Sequence, residues 1–307
     1  MKFLIVGPGA MGCLFAARLK KAGHDVTLFD HIAKRADLID SQGVKVEGIL
    51  GEYTVQVPTV AGKILDIPDV AVICVKANET KQAAEDIGPL IGPASYVLTL
   101  QNGLGNVEIL QEIFGKGRTL GGVTAEGATL LGDGHVRHAG QGDTKFGSEV
   151  PLGDTLTEFV SAFNDAGFKT QSADNVNSLI WGKLIVNVGI NALTAITRLK
   201  NGRLPEIGGT MAVMKGAVRE AVEVADAKDI ALPYQEPLGR VMEVCRATAG
   251  NIASMLQDVL KQGITEVAFI NGAIVCEGEA LGIPTPVNHT LSCLVEAIQE
   301  TYEEAVR

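Results

Sequence analysis

Residues 181–196 read WGKLIVNVGINALTAI, an apolar helix-forming run that carries Lys183, Asn187 and Asn191 at intervals of four. At ~100° per residue the three drift only ~80° around a helix and share one face. A buried ammonium is costly unless it is paired or working, so Lys183 needs a partner. The bland reading is a lysine snorkelling to the surface beside two asparagines that tie helix to helix. The chemical reading is a substrate-facing row. Hydride addition to a carbonyl leaves an alkoxide, which a protonated amine stabilises and then protonates. Asparagines suit the hydroxyl and carbonyl groups of a neutral-to-anionic substrate. Two further segments fit such a site, NIASMLQD at 251–258 with Ser254 and TEVAFING at 265–272 with Glu266. A carboxylate near Lys183 would keep the ammonium protonated against desolvation. A glutamate at a helix start is equally explained by the helix dipole, and the two readings stand level.

A hydride needs a donor, and the first thirty residues describe a place for one. KFLIV is a strand-forming run, GPGAMG follows at once, and CLFAARLKKAG continues with helical periodicity to a stop at Gly23. In this strand–turn–helix, Gly7 permits the tight turn, Gly9 admits a pyrophosphate, and Gly12 lets helix and strand pack closely; Pro8, Ala10 and Met11 complete the loop. A second strand, DVTLF, ends at Asp30, eighteen residues after Gly12, which is the spacing of a Rossmann nucleotide site. Asp30 would accept hydrogen bonds from the adenosine ribose and repel a 2′-phosphate, favouring NAD over NADP. Lys34 and Arg35, one turn on, read either as a partial offset to that repulsion or as a solvated helix start. Two more buried strands, VAVICV and SYVLTL, end at Lys76 and at QNG, residues 101–103. Parallel sheets bind ligands at the carboxyl ends of their strands, which puts Lys76 and Asn102 where cofactor and substrate belong.

These residues require two kinds of scaffold. Strands alternate with helices through the first half, and the glycine-rich stretch 118–147 reads as antiparallel strands and hairpins extending the sheet. Beyond 174 the pattern is helical, over about 178–197, 208–228, 234–261, 264–281 and 287–305, with Asn288 as N-cap of the last. The expected fold is therefore α/β, an N-terminal Rossmann-type dinucleotide-binding domain over 1–173 followed by a helical substrate and catalytic domain over 174–307.

Composition limits the partners. The net charge of −10 repels a polyanionic backbone and argues against nucleic acid. No stretch reaches ~18 uninterrupted apolar residues, so no membrane span is expected. The apolar N-terminus is broken by glycines at 7, 9 and 12, which argues against a secretory signal. The five cysteines form no CxxC pair and read as small core residues with free thiols, in a reducing, cytoplasmic compartment. His135 and His138 lie three apart in a strand and face opposite ways, so no metal site is expected.

From end to end the chain resembles the ketopantoate reductase (2-dehydropantoate 2-reductase) family. The likeness rests on GPGAMG, CVKANET, LQNGLGN, WGKLIVNVGINALTAI, NGRL, NIASMLQD, TEVAFING and GIPTPVN, in that order. The resemblance implies a Rossmann domain followed by an all-α dehydrogenase domain, and reduction of ketopantoate to pantoate for pantothenate and coenzyme A synthesis. It implies Lys183 as general acid with Glu266 as its acidic partner. Asn102, Asn187, Asn191, Asn201 and Ser254 match substrate positions, Ser254 at the carboxylate end. Gly7 through Gly12, Lys76 and Asn102 match cofactor positions, and a homodimer is compatible with the pattern. The family's habit implies NADPH, yet Asp30 stands where its best-known members place an arginine for the 2′-phosphate, which keeps NADH in play. Ala268 replaces an aspartate often found two residues after the glutamate. The alternatives are a reductase of another small 2-oxo acid or related carbonyl, and a non-catalytic NAD(P)H-binding redox sensor.

Overall fold

Phe3 and Ile5 of the first strand enter one apolar cluster while Leu4 and Val6 enter another. A strand whose two faces are both covered reads as an unbroken apolar run, which is why KFLIV, VAVI and YVLT show no polar alternation. These coordinates are a computed structural model, and the described residues are 1–62, 64 and 66–304. The chain divides into two compact units, Met1–Gln101 with Gly105–Val176, and Asn102–Leu104 with Asn177–Arg307.

In the first unit the elements run β1 (Lys2–Val6), α1 (Ala10–Lys21), β2 (Asp25–Phe29), α2 (Ala33–Gln42), β3 (Val44–Gly48), β4 (Tyr53–Val55) and β5 (Thr59–Val60). There follow β6 (Val70–Ile73), α3 (Thr80–Ile87), β7 (Tyr96–Thr99), α4 (Asn106–Phe114), β8 (Thr119–Thr124), β9 (Gly127–Gly132), β10 (His135–Gly140), β11 (Thr144–Gly147), α5 (Asp154–Asp165) and β12 (Thr170–Ser172). The main sheet has the order β12-β11-β8-β7-β6-β1-β2-β5. Its strands from β5 through β8 are parallel, while β11 runs against β8 and β12 follows the direction of β11. The strand order reverses at β1, between β2 and β6, so the ends of β1 and β6 flank the crevice where such sheets bind ligands.

The glycine-rich segment departs from expectation. β8 extends the parallel sheet, while the β9–β10 hairpin leaves it and joins β3 and β4 in a second sheet ordered β4-β3-β10-β9. The second sheet's Val44, Val46 and Val136 share a core with Cys13, Leu14 and Ala17 of α1, so α1 is covered on a side that a solvent-facing helix would leave open. His138 is buried on β10, with Nε2 2.6 Å from Glu126 Oε2, while His135 meets Glu47 at 3.0 Å; the two rings face apart as their spacing implied.

The second unit is helical: α6 (Val176–Thr197), α7 (Gly208–Ala227), α8 (Pro237–Ala247), α9 (Ser254–Leu260), α10 (Asn271–Leu281) and α11 (Pro286–Glu300). Three expected helices differ. The 234–261 span breaks over 248–253 into α8 and α9, and 264–281 begins with a 3₁₀ turn, Val267–Phe269, before α10. Asn288 is not the N-cap of α11; Thr285 is, and Asn288 lies third in the helix. The free amides of Val287 and Asn288 instead donate to the carboxylate of Glu220 on α7, each at 2.9 Å, so a side chain distant in sequence does the capping.

The thiols are free, but only Cys13 and Cys245 are buried, with Cys74 half-buried. Cys276 and Cys293 are exposed on α10 and α11, against the expectation of core positions. By length and mean hydropathy (22 residues, 1.6) α6 could cross a membrane, yet two-thirds of its most apolar window is buried inside the protein, as the central helix of a packed bundle.

Candidate active site

Gly7 has φ +100°, and a Cβ there would lie 2.7 Å from Val75 Cγ1; on Gly12 it would lie 1.9 Å from the Gly7 carbonyl oxygen. Both glycines are therefore demanded by the protein's own packing. Gly9 is different. Its φ of −71° suits any residue, and the nearest atom to an added Cβ is the Cys74 carbonyl oxygen at an ordinary 3.7 Å. Nothing internal requires glycine at 9, which leaves close approach of a ligand to the backbone as its reason. Gly9 is also the N-cap of α1 and offers no side chain to its first amides, so those donors remain for an anion. The loop fits a dinucleotide pyrophosphate.

Lys76 follows β6 and sits half-buried at the N-cap of a 3₁₀ turn, Ala77–Glu79. Its loop is fastened by a residue the sequence reading passed over: Gln101 Nε2 donates to the Val75 carbonyl and to Thr80 Oγ1, both at 2.8 Å. The only hint had been its place at a strand end. At the end of β2, Asp30 is buried and accepts from Arg35 Nε at 2.5 Å, from Arg35 Nη2 at 2.7 Å and from the Ile32 amide at 3.1 Å. Arg35 is thus no solvated helix residue, and it holds the Asp30 carboxylate at the end of β2.

The helical unit gathers a different set. Asn102 and Leu104, which follow β7 in sequence, pack here, with Asn102 Nδ2 3.3 Å from Glu266 Oε2 and the Leu104 amide donating to the Phe269 carbonyl at 2.9 Å. Gly103 between them has φ +88°, and a Cβ would lie 2.5 Å from that same carbonyl oxygen. The QNG triplet is therefore divided: Gln101 serves the nucleotide-binding unit, and Asn102 serves Glu266.

Lys183 lies on α6, whose close packing is set by glycines on another face. Cβ atoms on Gly182 and Gly189, seven residues apart, would strike Pro233 at 2.6 Å and Val241 at 2.7 Å. The stripe of Lys183, Asn187 and Asn191 is rotated away from that contact. Desolvation pushes the Lys183 ammonium down from 10.5 to about 8, and the charge of Glu266 opposes the shift. Glu266 is itself 9% exposed and stands immediately before the 3₁₀ turn rather than within a long helix. The charge of Glu266 therefore acts on Lys183, and Asn102 bonds to Glu266. A second polar chain supports the same helices: Asn271 Nδ2 donates to the Val188 carbonyl of α6 and to Asn288 Oδ1.

The remaining positions are more dispersed. Asn191 is buried, and Asn187 is half-buried. Asn201 is buried, with Nδ2 2.9 Å from Thr248 Oγ1, and its Oδ1 is enclosed without a hydrogen-bond partner. Ser254 is the exposed first residue of α9, and Ala268 is exposed in the middle of the 3₁₀ turn. No cluster of metal-ligating side chains occurs among the described residues.

Comparison with known proteins agrees with this geometry. Residues 3–150 match the family model described as ketopantoate reductase PanE/ApbA, and residues 175–299 match its C-terminal counterpart. The 2-dehydropantoate 2-reductase of Halobacterium salinarum is 35% identical over 97% of this chain and 99% of its own, and that of Archaeoglobus fulgidus is 36% identical over 96% and 97%. Among solved structures, a PanE/ApbA family ketopantoate reductase from Ralstonia eutropha superposes with TM-score 0.90 at 31% identity, covering 99% of this chain and 100% of that one. D-mandelate dehydrogenase with NADH and anilino(oxo)acetate superposes with TM-score 0.91 at 27% identity over 99% and 100%.

Proposed function

This chain belongs to the ketopantoate reductase family, and from that premise we propose that it reduces the 2-oxo group of ketopantoate to pantoate, serving pantothenate and coenzyme A synthesis in the cytoplasm. The observation that carries the mechanism is the pairing of a desolvated Lys183 with Glu266 on a helix face that also presents two asparagines.

A reduced nicotinamide dinucleotide, when bound, supplies the hydride that adds to the carbonyl carbon. Gly9 and the first amides of α1 hold its pyrophosphate, and Lys76 stands at the neighbouring strand end. Lys183 Nζ faces the substrate oxygen as a cation, stabilises the negative charge that gathers there, and passes a proton to it. Its neutral amine is then recharged from solvent. With its pKa near 8, the group is mostly protonated at neutral pH and still acidic enough to give the proton up. Glu266 keeps the ammonium charged against desolvation, and Asn102 steadies Glu266. Asn187, Asn191, Asn201 and Ser254 contact the hydroxyl and carboxylate groups of the 2-oxo acid.

A second reading, reduction of a different 2-oxo acid on the same machinery, is supported by the close superposition with D-mandelate dehydrogenase, whose complex holds NADH and anilino(oxo)acetate. Steady-state oxidation of NADH and NADPH with ketopantoate, with unbranched 2-oxo acids and with aryl 2-oxo acids separates the two. Ketopantoate should be turned over with the highest kcat/KM. A higher value for an aryl or unbranched acid would transfer the assignment to the second reading, and no turnover of any of them would remove both.

A further inference from the structure

At the end of β2, where a Rossmann-type sheet meets the ribose of its ligand, the side chains of this chain are tied to one another. Asp30 closes β2 with its carboxylate fully shielded, and Arg35 clamps it through two hydrogen bonds while the Ile32 amide supplies a third. Oδ1 takes two donors and Oδ2 one, and the carboxylate they cover has no exposed surface of its own. Two of the five N–H donors of Arg35, Nε and Nη2, are committed to Asp30. To grip a 2′-phosphate with that same pair it would have to leave a carboxylate that has no solvent to replace it. Other groups weigh the same way: the charges of Asp133 and Glu79 also act on Arg35, beside the bonded carboxylate of Asp30. His31, exposed with Nδ1 3.7 Å from Asp30 Oδ1, and the exposed Lys34 are the remaining basic groups on this turn.

We propose that the Asp30–Arg35 pair is a cofactor-specificity lock that makes this protein take NADH in preference to NADPH. The preference reverses the NADPH habit implied by family resemblance. It follows from the charge of Asp30, which repels a dianionic 2′-phosphate and holds the guanidinium that would otherwise meet it. Releasing Arg35 from Asp30 should turn the same guanidinium into a phosphate ligand, since its planar fork suits phosphate as well as carboxylate. The inference rests on the reading of the glycine loop as a dinucleotide site, and not on which 2-oxo acid is reduced.

The test is binding, read without any 2-oxo acid: titration of the full-length protein with NADH and with NADPH, followed by nicotinamide fluorescence. The parent should bind NADH at least tenfold tighter. Asp30→Ser should cut that ratio tenfold or more by weakening NADH and strengthening NADPH, and the double variant Asp30→Ser with Arg35→Met should lose the NADPH gain. Equal or tighter binding of NADPH by the parent overturns the proposal, as does an unchanged ratio in Asp30→Ser. Should Asp30→Ser fail to fold, the parent ratio and Arg35→Met decide. Arg35→Met leaves Asp30 unpaired and should widen the preference for NADH, and a shift toward NADPH would refute the lock. If neither cofactor bound, the dinucleotide reading itself would fall. Cofactor binding in the expected ratio without ketopantoate turnover would count only against the substrate.

Discussion

Asn102 Nδ2 lies 3.3 Å from Glu266 Oε2, although 164 residues separate the two in sequence. The contact joins a loop that leaves a parallel sheet to the turn carrying the carboxylate that supports Lys183. It gives the acid–base pair a third member, and the consequences can be measured one residue at a time.

Lys183→Met should lower kcat by about 10²–10⁴-fold, the usual contribution of a positioned general acid, while NADH affinity stays within about twofold. In the parent, the proton is present below pH 8 and lost above it, so kcat should fall along an alkaline limb centred near pH 8. Stability carries the same signature with its own sign. Between about 8 and 10.5 the unfolded chain still holds a proton that the folded lysine has released, so stability from this group rises with pH across that window. Denaturant melts of the parent against Lys183→Met should therefore show the parent gaining on the variant from pH 8 to 10.5.

Glu266→Gln removes the charge that holds the Lys183 pKa up, leaving desolvation unopposed. The alkaline limb of the pH–rate profile should move below pH 8, with kcat at pH 7 reduced accordingly. A limb that stayed in place would mean that Glu266 does not govern the protonation of Lys183.

Much of this was legible in the sequence, because the signals were periodic or local. Strands buried on both faces announce themselves as apolar runs, GPGAMG defines its own turn, and spacing by four puts Lys183, Asn187 and Asn191 on one helix face. What could not be read depended on which partner the fold delivers, near or remote in sequence. Arg35 looks like any solvated helix residue until β2 delivers Asp30 to its fork. Glu220 is an ordinary acidic residue of α7 until α11 ends upon it. The β9–β10 hairpin has the alternation of a sheet-extending pair, and only β3 decides that it joins a second sheet.

Gly9→Ala and Gly12→Ala should separate ligand binding from folding. At Gly12 a Cβ meets the Gly7 carbonyl oxygen at 1.9 Å, so the variant should lose at least about 2 kcal/mol of stability and cofactor binding with it. At Gly9 the Cβ has room, so thermal stability should stay within about 0.5 kcal/mol while NADH affinity drops tenfold or more. Thermal melts and fluorescence titrations of the two proteins would expose any reversal of that order.

Gly103→Ala places a side chain at φ +88° and 2.5 Å from the Phe269 carbonyl oxygen. The strain should cost about 1–3 kcal/mol and push the 102–104 strip off the turn that carries Glu266. A drop in kcat together with the same downward shift of the alkaline limb as in Glu266→Gln is the expected kinetic result.

Glu220→Ala strips the amide cap from α11 and leaves Asn288 Nδ2 without its 2.8 Å acceptor. A loss of about 2–4 kcal/mol in denaturant unfolding is expected, since several buried donors go unsatisfied at once. The pH–rate profile of whatever protein remains folded should be unchanged, which distinguishes a structural anchor from the acid–base group.

The chain enters its helical unit twice, first for Asn102–Leu104 and again from Asn177 onward. That short first visit limits how separable the two halves are as modules. A fragment ending at 176 would carry away Leu104, which packs against the helical core, and the helices alone would lack the amide that meets Glu266. Exchanging helical halves between relatives to change substrate would therefore fail at a single junction after 176. The graft must also bring its own three-residue strip, so the helices and the 102–104 loop are inherited together.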